Sequence, residues 1–457
     1  MCLSIGFLRV HLPTYVDDVT GLADTYFTYL APTITILEMV LLSCGSNSFS
    51  HLAVGHNEDT SILAPTIPPP KGDILDLVSV SAHTLVLVRD GHRNTLYGVG
   101  TNTVGQLGTP CALRDEEDKQ VLSGWRRLEL VRELQTEMKE EDWEPVRIGS
   151  TWTTSFVVYH RRSSGAGSGD VEGVEEIVLG SGSNDFNELG DTDPSSTRGA
   201  STTTPSLRPR VIDVGLRAGE TIEHLACGQR HVMLVILNAE GEQRVVGWGA
   251  GRRGEFDLAT LGGSSSSAAG TSSKGKGKAA ARPTTYPPTD LDLSMEVGER
   301  IIDISLGASH TVVLTSKHRV LAWGSDQKGQ IRDTAELNNI QQISASWGGS
   351  YFLTKDRRIL SQGSNIYSQL LHEKEGRGEV EVPTGWEVER IVAGSEHLLV
   401  VMRRGEEQVL WAGGWNEHGN LALGDQKDRA RLERVNLPPG KITGVWGGCA
   451  STWVSLE

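Results

Sequence analysis

A phrase that returns seven times constrains this chain more than any other feature. Each copy is a short apolar run, a glycine, usually an asparagine two residues later, then Gly-Gln-Leu or a relative of it. The phrase glycines are Gly45, Gly100, Gly182, Gly249, Gly324, Gly363 and Gly414. The fullest forms are Gly100-Thr-Asn102…Gly105-Gln106-Leu107 and Gly324-Ser-Asp326…Gly329-Gln330-Ile331. A second phrase alternates with the first: an apolar stretch, a glycine, a histidine three residues on, and a further apolar run. Gly228…His231, Gly307…His310 and Gly394…His397 carry it best, and His83 follows Val80 where the glycine would stand. Trp152, Tyr351 and Ser451 read as the residues at the histidine position in the other three copies. Self-similarity at a spacing of tens of residues signals a repeat architecture.

Each unit reads as four strands joined by a tight turn, a hairpin and a glycine-rich loop, as in Ile301–Ile304, Thr311–Leu314 and Val320–Trp323. Four antiparallel strands repeated radially predict an all-β fold, a seven-bladed β-propeller. Glycine usage agrees: 53 of the 457 residues are Gly, a composition costly in helices and suited to turns. The first good strand, Met39 to Ser43, precedes the Gly45 loop, and the last phrase, Ile442 to Leu456, supplies two strands. Terminal half-blades of this kind would close the ring and leave no open edge. Residues 39–457 are therefore expected to form a single propeller, with 1–38 a poorly ordered extension and Met39 a candidate start. Insertions are expected to be disordered at about 161–173, 191–206 and 259–285. The acidic insertion at about 109–144 is expected to hold a short helix over Leu128–Met138.

Composition removes several functions. A formal charge of −15 argues against general nucleic-acid binding, which needs a basic face. No apolar run reaches the ~18 residues of a membrane helix, and the first twelve residues lack the basic start of a secretory signal. Five cysteines with no C-x-x-C pair fit a reducing compartment rather than a disulfide framework. No nucleophile elbow, zinc-binding helix, phosphate loop or dinucleotide fingerprint occurs, so no catalytic residue, cofactor or metal is expected.

Cys227-Gly228-Gln-Arg-His231 and Trp323-Gly324-Ser-Asp-Gln-Lys-Gly329-Gln330 resemble the repeats of the regulator of chromosome condensation family. That family includes exchange factors, ubiquitin-ligase modules, photoreceptors and scaffolds, so the resemblance speaks to fold before function. The stretch from Met39 through Gly55-His56-Asn-Glu58-Asp59-Thr60 looks like the opening of its fungal α-tubulin suppressor branch. This resemblance implies a protein-binding propeller, monomeric, cytoplasmic and also nuclear. Its implied partner is a small metal-binding protein of diphthamide synthesis and of the Elongator pathway of tRNA wobble-uridine modification. The alternative is guanine-nucleotide exchange on a Ran-type small GTPase; no ligase domain accompanies the repeats.

The phrase glycines are expected to serve the backbone, and His83, His231, His310 and His397 to hydrogen-bond near the axis rather than hold metal. Trp248, Trp323 and Trp411 are expected to pack between blades. Because the long insertions follow the loops of blades two to four, the partner site is expected on the same face in the uncluttered sector. Its expected anchors are Trp347, Trp415, His418, Trp446 and His56.

Overall fold

A computed structural model describes residues 39–109, 121–134, 136–162, 175–192, 207–263 and 283–457. The extension 1–38 lies outside these residues, as does most of each insertion expected to be disordered. Residues Met39–Glu457 make one compact unit.

The unit is an all-β, seven-bladed propeller of antiparallel sheets. Blade one combines strands from both ends of the sequence. Val40–Gly45 pairs with Thr60–Pro65 on one side and with Ser451–Leu456 on the other, and Ile442–Gly447 completes the sheet. Blades two to seven follow in chain order, beginning at strands Asp73–Ser79, Trp143–Ser150, Thr221–Cys227, Ile301–Leu306, Ile340–Ala345 and Glu387–Ala393. Six sheets have four strands. Blade five has three, and the place of its fourth is taken by a single 3-10 turn, Thr334–Glu336, with Ile331 and Leu337 buried beside it.

Seven apolar clusters fill the molecule, and each is shared by two neighbouring sheets. One joins Leu42 and Val454 of blade one to Leu399 and Leu410 of blade seven; another joins Leu41 and Trp453 to Val86 of blade two. The first strand of each blade touches that of the next, and Ile442–Gly447 touches Asp73–Ser79. No blade owns a core, so stability is a property of neighbours. Two expected tryptophans span such gaps with their indole N–H: Trp248 donates to the Glu188 carbonyl (2.6 Å) and Trp323 to that of Glu255 (2.9 Å). Trp411 is half-buried against Trp386.

Every innermost strand carries a β-bulge at the same place, between Ile74 and Asp76, Pro145 and Arg147, Ile222 and His224, Ile301 and Asp303, Ile340 and Gln342, Val388 and Arg390, and Ile442 and Gly444. A bulge twists and re-aims its strand.

The acidic insertion is built differently from expectation. Val121–Arg127 is the fourth strand of blade two, and the described residues of 128–138 form turns, not a helix. Leu128, Leu130 and Val131 are all buried against Trp143 and Ile148 of blade three. That spacing fills an inter-blade groove and does not suit one face of a helix.

Candidate functional site: the turn and loop face

The two phrases form one face because their backbones bond to each other within each blade. The amide after the loop glycine donates to the carbonyl before the histidine position: Thr101 to Ala82, Ala250 to Arg230, Ser325 to Ser309, Trp415 to Glu396. This fixes why the loop residue is glycine. Gly324 has φ +106°, and a Cβ there would lie 2.6 Å from the Ser309 carbonyl oxygen. All seven phrase glycines share a positive φ, a conformation unfavourable for residues with a Cβ. The asparagine then spans the loop. The Oδ1 of Asn102, Asn365 and Asn416 accepts the amides of Leu107, Leu370 and Leu421 at 2.8, 2.9 and 2.8 Å.

The strand register revises two positions. The residues opposite the loop glycines are His83, Thr154, His231, His310, Gly349, His397 and Ser451. Thr154 and Gly349, not Trp152 and Tyr351, stand at the histidine position. Trp152 and Trp347 instead lie in the turns before those strands, and Tyr351 is buried, donating its hydroxyl to the Gln369 carbonyl at 2.7 Å. The histidines are fully buried stitches between blades. Nε2 of His83 lies 2.9 Å from Ser155 Oγ, that of His310 3.1 Å from Ser350 Oγ, and that of His397 3.2 Å from Thr452 Oγ1. His231 has no such partner within the described chain. Burial holds His83 and His231 down to about 3 and His310 and His397 to about 4, so all four are neutral.

At the axis the turns bond to each other around the ring. Trp152 N–H donates to the Gln229 carbonyl, Ala308 to Trp347, Trp347 to Ser395, Ser395 to Gly448 and Cys449 to Ser79. The approach is too close for side chains: a Cβ on Gly307 would sit 2.5 Å from the Ser346 oxygen. These turns ring the mouth of the axial channel, a space of about 190 Å³. The Trp152 and Trp347 indoles, from blades three and six, stack across it with centroids 5.4 Å apart and planes 22° from parallel. Cys227 and Cys449 line the same mouth as free thiols; burial pushes Cys449 up to about 12 and Cys227 higher, leaving both protonated.

A second aromatic group lies on the loops of blades six, seven and one. Tyr367 approaches Trp415 (6.0 Å between centroids), and Trp415 meets the His418 ring edge-on at 5.3 Å. His418 Nδ1 in turn lies 2.6 Å from Asp59 Oδ2, joining blade seven to blade one. Ile366 beside them is 71% exposed, and Tyr367 and Phe49 are each 42% exposed.

Of the five expected anchors, Trp415 and His418 are thus brought together, and Trp347 belongs to the axial stack. His56 is exposed in the blade-one loop, where its Nδ1 accepts the Glu58 amide at 3.3 Å. Trp446 is a correction. It lies in strand Ile442–Gly447 and turns into the channel, its ring filling the space that Gly444 leaves, with its indole N–H on the Asp76 carboxylate. There it joins Asp76, Arg147, His224, Asp303 and Gln342, which the bulges bring to a cavity of about 550 Å³. Burial raises Asp76 and Asp303 to about 6. The sequence reading missed Trp152, Tyr367 and Asp59. Tyr367 follows Asn365 at the slot where His418 follows Asn416, and that alignment was the available signal.

Residues 301–330 match the regulator of chromosome condensation (RCC1) repeat. The chain is thus a seven-bladed propeller with one stretch, in blade five, that matches the RCC1 repeat. It is similar to the RCC1 repeat-containing protein C10F6.04 of Schizosaccharomyces pombe, 24% identical over 92% of this chain and 99% of that one. It is also similar to the secretion-regulating guanine nucleotide exchange factor of Bos taurus, 25% identical over 85% of this chain and 76% of that one. Among solved structures, human WBSCR16 superposes with TM-score 0.66 at 16% identity, covering 92% of this chain and 99% of that one. Prp20p of Saccharomyces cerevisiae, described with its binding to Gsp1p and histones, superposes with TM-score 0.62 at 18% identity, covering 92% of each. The likenesses to solved structures show the propeller fold and no more than the fold.

Proposed function

We propose that this propeller is a non-enzymatic protein-binding module whose partner docks on the turn and loop face. The stacked Trp152–Trp347 pair carries the reading. Two partly buried indoles at the centre of a rigid, glycine-tight face have the composition and placement of a binding hot spot. The Tyr367–Trp415–His418 group extends the same face toward blade one. The resemblance of the Met39–Thr60 stretch to the α-tubulin suppressor branch supports a finer reading. The partner is then the small metal-binding protein of diphthamide synthesis and wobble-uridine modification, met in the cytoplasm and the nucleus, with the propeller as a monomeric accessory factor. A second reading, exchange on a Ran-type small GTPase, is supported by the similarity to the bovine exchange factor over 85% of this chain.

One pair of assays separates them. Titrating the purified metal-binding protein against the full chain is expected to give saturable binding, weakened about tenfold or more by Trp347→Ala and by Trp415→Ala. Nucleotide release from the GTPase is expected to stay at its intrinsic rate. Accelerated release with no binding of the metal-binding protein reverses the order of the two readings. Binding indifferent to both substitutions moves the site off this face.

A further inference from the structure

The tips of the seven loops, the two residues after the asparagine position, differ sharply around the face. In blades six, seven and one they include Ile366, Tyr367, His418 and Phe49, apolar or aromatic and accessible. In blade four they are Arg252 and Arg253, and in blade five Lys328; all three are exposed, and none has a carboxylate within ion-pairing distance among the described residues. Arg230, in the adjoining turn of blade four, lays its guanidinium 3.8 Å from the Phe186 ring centroid and within reach of Trp152 at 6.0 Å. Two carboxylates of the blade-three and blade-four loops are turned inward, and Asp326 beside Lys328 is held by Arg332. Glu255 and Glu188 are 3% and 2% exposed, and each accepts a backbone amide of its own loop, from Arg253 and Phe186.

A chain of net charge −15 thus presents, on one sector of one face, a run of cations with no carboxylate partner among the described residues. That run borders the aromatic sector in ring order, blade five against blade six. We propose that the partner segment recognised by this face is an acidic stretch of polypeptide leading directly into an apolar side chain. The carboxylates lie over Arg252, Arg253 and Lys328, and the apolar residue seats against Ile366, Tyr367 and Trp415. The inference rests on the reading of this face as a protein-binding surface and adds the chemistry of what it takes. Complementary charge steers and orients the segment, while the aromatic sector supplies the desolvated contact. A nucleic-acid backbone would satisfy the cations, but it would lay further negative charge over Glu417 and Glu396 in the aromatic sector.

The test uses the full chain and three fluorescein-labelled probes read by anisotropy: a glutamate-rich peptide ending in Leu-Phe, the same peptide with lysine for glutamate, and single-stranded oligothymidine. The glutamate peptide is expected to bind best and to weaken as salt rises. Arg252→Glu with Arg253→Glu is expected to cost about tenfold and to flatten the salt dependence. Tyr367→Ala is expected to weaken binding at every salt concentration. Equal binding of the lysine peptide, tighter binding of the oligonucleotide, absence of binding to any probe, or indifference to the charge reversal overturns the proposal. Charge reversal without effect on a protein partner that still needs Trp347 and Trp415 overturns the acidic chemistry alone and leaves the docking face standing. Circular dichroism of each variant checks that the propeller is intact.

Discussion

At the scale of single residues, the two phrases answer two separate physical demands. The loop glycine meets a backbone demand, because its Cβ would strike a carbonyl while φ is positive. Gly324→Ala is therefore expected to destabilise the propeller by about 3 kcal/mol in urea unfolding. Gly241→Ala, in a hairpin where a Cβ meets nothing within 4 Å, is expected to cost about 1 kcal/mol. The histidine meets an interior hydrogen-bonding demand and is neutral. An unfolded chain protonates it below its ordinary 6.5, whereas the folded chain holds His310 to about 4. Its contribution to stability is thus present above pH 6.5 and is lost as pH falls toward 4, by about 1.4 kcal/mol per pH unit. Asp76 and Asp303, raised to about 6, act in the opposite direction. The informative quantity is therefore the difference between variant and parent. His310→Gln, which keeps an N–H for Ser350, is expected to lose less stability than the parent between pH 6.5 and 4, measured by denaturant midpoints across that range.

At the scale of elements, the asparagine loops are self-contained. Asn416 ties its loop by side-chain bonds to Leu421 and Asp425, and its backbone N–H donates to the Asp428 carboxylate. Asn416→Ala is expected to cost about 1–3 kcal/mol, the penalty for a buried amide left without its acceptor. Faster hydrogen exchange should be confined to 416–428, leaving the strands of blade seven protected. What could be read from the sequence follows the same division. Strand order, the seven units and the loop glycines were legible because a repeated local chemistry writes them at a fixed spacing. The assignments of Trp152 and Tyr351 slipped by two residues because Thr151 and Ser346 stand where the other turns carry glycine, while Gly149 and Gly348 lie two residues away from that position. Trp446 was misplaced for a different reason. Only the three-dimensional gap at Gly444, opened by a bulge in the same strand, tells an indole to enter the channel rather than the face. Leu128–Val131 read as helical because charge and leucine content suit a helix, whereas the groove between blades two and three decides the conformation.

At the scale of the whole molecule, cores lie between blades and blade one is assembled from distant segments. Strand Ser451–Leu456 pairs on both sides, with Val40–Gly45 and with Ile442–Gly447, and buries Trp453 and Val454. Removing residues 451–457 is expected to abolish the cooperative thermal transition rather than lower its midpoint, since two neighbouring clusters lose members together. A midpoint merely lowered by several degrees would mean that blade one tolerates the loss of one of its two central strands. The same pairing sets a clock for biosynthesis. A ribosome adding roughly 5–20 residues per second delivers Val40–Pro65 some tens of seconds before Ile442–Leu456 exists to receive it. Through that interval the early hairpin offers an unpaired edge to its surroundings. Chaperones that bind nascent chains are therefore expected to engage Val40–Pro65 until its partner strand Ser451–Leu456 arrives.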